Sequence, residues 1–348
     1  MFRTHHPSSG GSRLRHPAVL AVGLAASAAL LGIATLGTTG AGVASAAARS
    51  GATTTDPNLF ASVSQSGTLV AGSPGTSVTN IGTGQYEVTF DQDVTGCAYV
   101  ATTINAYSQA LQATVASGHL SADGVYVETK NQGGGLTAGP FNLAVDCGQP
   151  DWSYAVAGYS QNLVRSTTGA TLTNLSTGRY DVTFPSSVKG CAYLASVGDP
   201  GNGIDTTPAG VYTGSSSNPD QVYIETKNTG GGLTAGIPFQ LAVVCPGAAD
   251  ASFAVVKASG LPSRASKLTS SYNTSTGQYT MVTKASLAAC AEVATRGSVN
   301  TSVPFTPATV EIVPGPAGAV NTIGIQVRDL LAGGGGLDDQ SFPAAAVC

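Results

Sequence analysis

Charge is scarce in this sequence: only 10% of its 348 residues are Asp, Glu, Lys or Arg, and 6% are aromatic. With so little Glu, Lys and Leu there is no material for long surface helices, whose stability draws on those straight-chain residues. Histidine is scarcer still. Three of the four fall in the first sixteen positions and only His119 lies beyond them, so a Ser-His-Asp or Cys-His device has a single candidate base. No CxxC pair occurs, and with it goes the spacing of a structural zinc site. We expect neither a metal nor a cofactor.

What the chain does have is small and apolar, with 42% hydrophobic residues and 45 glycines. Thr and the β-branched residues pack well on a pleated surface, and Gly supplies the tight turns between short strands. The first 48 residues stand apart. Arg3, Arg13 and Arg15 precede the apolar run AVLAVGLAASAALLGIATL (18–36), and small residues follow at Ala44 and Ala46. That order reads as a signal peptide and predicts a secreted or cell-surface protein. A run of this length can also just span a bilayer, so the alternative is an uncleaved anchor, the one case in which a membrane is a partner. Beyond the segment, twelve basic residues face nineteen acidic ones, a net charge of −7. Nucleic acid, which demands clustered Lys and Arg, is excluded as a partner class.

The remainder is written three times. TGQYEVTF (83–90) returns as TGRYDVTF (177–184) and TGQYTMVT (276–283), while TGCAYVA (95–101) returns as KGCAYLA (189–195) and AACAEVA (288–294). After a linker (49–58), the copies run over 59–147, 151–245 and 250–348, each of domain size. Their joints, GQPD (148–151) and PGAAD (246–250), are short, and the expectation is a string of domains with limited bending. Each copy holds two cysteines, Cys97 and Cys147, Cys191 and Cys245, Cys290 and Cys348. Since every copy must close its own bridge, the repeat selects these three pairs from the fifteen pairings that six cysteines allow.

Within the first copy, alternation and turn residues predict strands at 60–63, 68–71, 77–81, 85–90, 97–102, 124–130 and 141–147. Only 101–118 is read as able to hold a helical turn. The predicted fold is all-β: three tandem, disulfide-stapled β-sandwiches or partly open β-barrels.

The longest identity between copies is VYVETKNQGGGLTAG (125–139) against VYIETKNTGGGLTAG (222–236). By strand alternation Val125, Val127 and Thr129 point to the core, leaving Tyr126, Glu128 and Lys130, and in the second copy Tyr223, Glu225 and Lys227, on an outer face. An aromatic and two charges there are candidate binding residues, a platform for sugar rings doubled in tandem. The third copy writes IGIQVRD (323–329), keeping the apolar face and changing the other. GGGLTAG suggests a phosphate loop, but a strand and not a helix follows, so a hairpin connection is the better reading. Asp338 and Asp339 are read as a solvated turn or a weak cation site. Asp91 and Asp93 with Glu128 are the only carboxylates conceivable as a glycosidase pair, and the other copies lack the two aspartates.

An opening strand, a TGxYxVTF hairpin, GCAY and a closing FxLAVxC together resemble tandem-repeat secreted proteins of actinobacterial type whose function is unknown, over 59–348. The third copy departs by lacking the Phe and the Gly before its first cysteine. The resemblance implies export and a β-rich disulfide module, and it brings no catalytic residues. The function expected is a secreted, non-enzymatic binding or adhesive module, with cell-wall polymer, glycan or another surface protein as partner. The alternatives are a purely structural envelope protein and a hydrolase.

Overall fold

The alternating segments become strands, and each of the three stretches folds into the same eight. The computed structural model describes residues 58–104, 110–201, 203, 208–300, 307–315, 319–330 and 335–348. The leader and nearly all of the linker lie outside these. The first copy contains β1 (Leu59–Val63), β2 (Leu69–Gly72), β3 (Ser77–Gly82), β4 (Gln85–Thr89), β5 (Ala98–Thr103), β6 (Leu111–Ser117), β7 (Gly124–Asn131) and β8 (Phe141–Asp146). In the second these recur as β9 (Trp152–Ala157), β10 (Leu163–Ser166), β11 (Thr171–Ser176), β12 (Arg179–Thr183), β13 (Ala192–Asp199), β14 (Ala209–Ser215), β15 (Gln221–Asn228) and β16 (Phe239–Val244). The third has β17 (Ala251–Val256), β18 (Pro262–Ser266), β19 (Leu268–Ser275), β20 (Gln278–Thr283), β21 (Ala291–Ala294), β22 (Ala308–Val313), β23 (Thr322–Asp329) and β24 (Phe342–Val347). No helix occurs among the described residues, and so none there could cross a membrane.

One expectation is corrected at once. Within 101–118 the described residues form the end of β5 and the strand β6, whose β-branched Thr114 and Val115 pair with Glu128 and Val127 of β7; residues 105–109 lie outside the description. The stretch is a strand because β7 has an open edge there, and hydrogen-bonding that edge outweighs a weak local helical preference.

Each copy is a sandwich of two open four-stranded layers, not a closed barrel. In the first copy these are β2-β1-β8-β5 and β3-β4-β7-β6, and the same order recurs in the others, with the outer layer of the first copy and the inner layer of the second joined through β6 and β13 into one eight-stranded sheet. Between the layers lies a private core, in the first copy Tyr86, Val88, Tyr99, Val125, Val127, Phe141 and Leu143. The three bridges join Cys97 to Cys147, Cys191 to Cys245 and Cys290 to Cys348. All six cysteines are used. Each bridge ties the start of an inner edge strand to the end of the strand beside it.

The expected string of domains is not what forms. Residues 53–348 are one unit, because the layer β2-β1-β8-β5 and its two counterparts are apolar on both faces. One face fills the private core. The other meets its counterparts in a fourth core holding Phe60, Val100, Trp152, Leu194, Phe253 and Val293, drawn from all three copies. Ala248, expected at a joint, and Trp152, the residue that follows the other joint, are buried in it. Burying a second face of each sheet removes more apolar surface from water than any flexible linker would allow, at roughly 25 cal/mol per Å².

Around that core the copies close a ring through the edge strands β5, β13 and β21. Ser196 Oγ accepts from Ala101 N at 2.9 Å and donates to Ala101 O at 3.2 Å. Thr295 Oγ1 does the same to Ala195 at 2.8 and 3.1 Å, and Thr102 Oγ1 to Ala294 at 2.8 and 2.9 Å. These are the fourth and fifth residues after the first cysteine of each copy. A hydroxyl of one copy thus satisfies the bare backbone edge of the next, which would otherwise be a buried unpaired N–H and C=O. Two residues further on, parallel bridges repeat the ring, Gly198 with Val115, Gly297 with Thr213 and Ile104 with Ile312. The arrangement is a pseudo-threefold within one chain.

Candidate functional site

The Tyr, Glu and Lys of the repeated segment do come together, and all but the half-buried Tyr223 do so out of solvent. Tyr126 is 2% exposed, Glu128 4% and Lys130 5%. Tyr126 Oη donates to Glu128 Oε1 at 2.9 Å, and Lys130 Nζ pairs with Glu128 Oε2 at 2.7 Å. In the second copy Tyr223 donates to Glu225 at 2.9 Å, Lys227 pairs with Glu225 at 2.8 Å, and Arg179 adds a contact at 3.1 Å. Burial first, and then the carboxylate that each hydroxyl faces, raise both phenols; Tyr223 is pushed up to about 12. The third copy builds the same brace with the carboxylate one strand over, where Arg328 reaches Glu311 at 3.1 Å and Gln326 at 2.9 Å.

The expected solvent-facing platform is therefore corrected. In the second and third outer layers this face meets a neighbouring copy, where Tyr212 Oη, beside Lys227, accepts from Ala308 N, and Glu311 accepts from Leu111 N, while in the first His119 covers Tyr126. The glycine loop explains the rest of the identity. It is a hairpin connection, with Leu136 folded back on Lys130 and Leu233 on Lys227. Gly134 has a φ of +81°, and a Cβ there would collide with Pro208 of the second copy; Gly231 stands in the same relation to Pro307. The segment is spelled twice because it is a joint between copies.

The other candidates are structural as well. His119 lies 3.4 Å from Glu87, and its ring rests on Tyr126 at 4.5 Å. Burial raises the Glu87 carboxyl despite the amide of Leu120. Asp93 accepts from both the amide and the hydroxyl of Thr95, at 2.8 and 2.6 Å, which lowers its pKa and fixes a turn before Cys97. Asp339 accepts from Gly277 N and Asn273 and is lowered by those bonds, while Asp338 pairs with Gln340, so the two aspartates serve separate hairpin contacts. Among the described residues no cluster of His, Cys, Asp and Glu could hold a metal.

Two residues that the sequence reading passed over matter more. Arg165 of the second copy lies over Tyr99 of the first at 5.5 Å and donates to Cys97 O and Pro200 O, each at 2.6 Å. Arg264 of the third lies over Tyr193 of the second at 4.7 Å and donates to Cys191 O at 2.7 Å and Ser215 Oγ at 2.9 Å. The signal was available, an Arg recurring 99 positions on and a Tyr repeated in GCAY. Beside Arg264 the seam between the second and third copies opens into a cleft of about 550 Å³ whose lining includes Lys189, Ser216, Ser217, Asn218 and Asn300. Compared with known proteins, the chain matches no family model, no curated protein and no solved structure.

Proposed function

We propose that the chain is a non-enzymatic extracellular module that binds a polymer or partner at the cell surface, cell-wall polymer or glycan being the leading class. The observation that carries the extracellular part is the complete oxidation of six cysteines into three bridges, each internal to one copy. Such bridges persist in oxidising compartments. The binding part is supported by the polar cleft at one seam, lined by hydroxyls, amides and two cations with no carboxylate among them. The non-enzymatic part is supported by His119, which sits against Glu87, and by Asp93 and Glu128, which are engaged in a turn and a brace, leaving Asp91 exposed beside them. The test is a pull-down of the mature, oxidised protein against cell-wall material and glycans, with hydrolase screening of the same sample. Saturable retention without turnover is expected, and turnover of a retained glycan would replace this reading with the hydrolase. Absence of retention on every polymer would favour a purely structural envelope protein.

A further inference from the structure

We propose that the cleft between the second and third copies is a subsite for one anionic sugar unit, its carboxylate held by Lys189 and Arg264. This rests on the binding reading above and deepens it.

Two cations meet at this seam because of what each copy carries at two equivalent positions. Two positions before the first cysteine stand Thr95, Lys189 and Ala288; at the arginine position stand Ala71, Arg165 and Arg264. The seam of the first and second copies therefore pairs Thr95 with Arg165, that of the third and first pairs Ala288 with Ala71, and only the remaining seam combines two cations. The arginines also differ in what they leave free. Both spend Nε on a cysteine carbonyl, and Arg165 Nη2 is sealed from solvent without a partner. Arg264 Nη2 likewise makes no protein hydrogen bond, but it is not sealed, and the residue lines the cleft. Burial lowers the Arg264 pKa, with Tyr193 acting the other way, a cost that a bound anion would offset.

The rest of the lining specifies the ring. Ser215, Ser216, Ser217, Asn218, Gln221 and Asn300 present hydroxyls and amides, which match the donors and acceptors of a sugar. Some of these are already oriented: Ser216 Oγ donates to Gln221 Oε1 and accepts from Asn218 N. The volume falls in the usual range for small-molecule sites, roughly 300–1,000 Å³. Tyr193 is covered by Arg264, so recognition rests on charge and hydrogen bonds and not on stacking.

The experiment is titration of the mature protein with glucuronate, glucose and inorganic phosphate, followed by heteronuclear NMR and by calorimetry. Glucuronate should bind at least tenfold more tightly than glucose or phosphate, shift the amides of 215–218 and 300, and weaken as salt is raised. Lys189→Ala, at an exposed position, should lose at least tenfold in affinity with an unchanged spectrum elsewhere; Ser217→Ala gives a second, charge-neutral variant. Thr95→Ala, at the equivalent place on another seam, should leave the affinity for glucuronate unchanged. Equal binding of phosphate and glucuronate, or an unchanged affinity in Lys189→Ala, would overturn the subsite. Retention on cell-wall polymer that survives Lys189→Ala would overturn the subsite alone and leave the binding function standing.

Discussion

The closed ring of hydroxyls makes the sharpest prediction. Thr295→Val keeps shape and volume but removes the Oγ1 that both accepts from and donates to Ala195. The partner backbone lies on the edge of an inner sheet, buried, beside a cavity of about 80 Å³ whose lining includes Ala195 and Thr295, so water can offset part of the loss. Two hydrogen bonds are lost, and an N–H and a C=O are stranded, at about 1–3 kcal/mol for each unsatisfied group. A loss of about 2–4 kcal/mol is expected, against a total that for most proteins is about 5–15 kcal/mol. Ser196→Ala and Thr102→Val remove the equivalent bonds at the other two seams, so the three variants should cost similar amounts. The assay is urea unfolding of the oxidised mature protein, with the slope monitored to show that the transition remains single. Losses below about 0.5 kcal/mol at all three positions, the range of ordinary surface changes, would refute the ring. A loss at only one would refute its symmetry.

Arg296→Met should stabilise. Arg296 is 3% exposed, donates from Nη1 to Ser341 O, and leaves Nε and Nη2 without partners; burial pushes its pKa down to about 10. The second copy already places Val197 there, and exchanging a poorly paired buried ion for an apolar residue can gain about 1–4 kcal/mol, readable as a raised urea midpoint. Asp146 should make stability fall as pH rises. Burial pushes its carboxyl up to about 7, above its unfolded value, so between about pH 4 and 7 the folded state binds more protons than the unfolded one. Unfolding midpoints should drop across that window, and Asp146→Asn should flatten the profile; an unchanged slope would remove Asp146 as its source. Gly134→Ala should cost about 1–3 kcal/mol by overpacking against Pro208, on top of the strain of its positive φ, whereas Gly133→Ala meets nothing closer than 3.4 Å and should cost less.

Strand positions and bridges could be read from the sequence because they follow from local rules: alternation, Gly-rich turns and a cysteine pair in every copy. The assembly was written there too, in a signal of a different kind. CAYVAT and FNLAVD are nearly continuous in apolar residues, whereas QYEVT alternates. Continuous runs mark strands buried on both faces, and β5 and β8 are buried at every residue. With both faces apolar, the inner layers required something to cover the second one, and the other copies offered matching apolar faces. The outer face of β7 shows the opposite difficulty. Tyr126, Glu128 and Lys130 look like solvated residues when taken singly, because nothing local says that His119 will cover Tyr126 or that the next copy's Pro208 will seat against the glycine loop behind Lys130. Their internal pairing is what lets the face be buried, since a charge without a partner there would be costly. The drift of this face in the third copy, taken alone, suggests a relaxed surface. With Glu311 supplied by the adjacent strand it is a rebuilt brace.

A ring of three like units usually forms from three separate chains, each offering the same two complementary surfaces. Linking the units in one chain fixes their order, and once the order is fixed the seams need no longer be alike. The consequences are visible at the arginine position. Arg165 seals the first seam over Tyr99 and Arg264 covers Tyr193 at the second. At the third the partners are Ala71 and Glu292, and Asn142 donates to the Glu292 backbone and carboxylate at 2.8 and 3.0 Å. A symmetric trimer could not hold an Arg at one seam and an Ala at another, because every substitution would appear three times. Recognition in such a chain therefore belongs where the copies differ, not where they agree. The long identity around VYVETKN marks the joint that all seams share. Lys189 and Arg264, each without a counterpart of like charge at the third seam, mark the place where one seam has been given something further to hold.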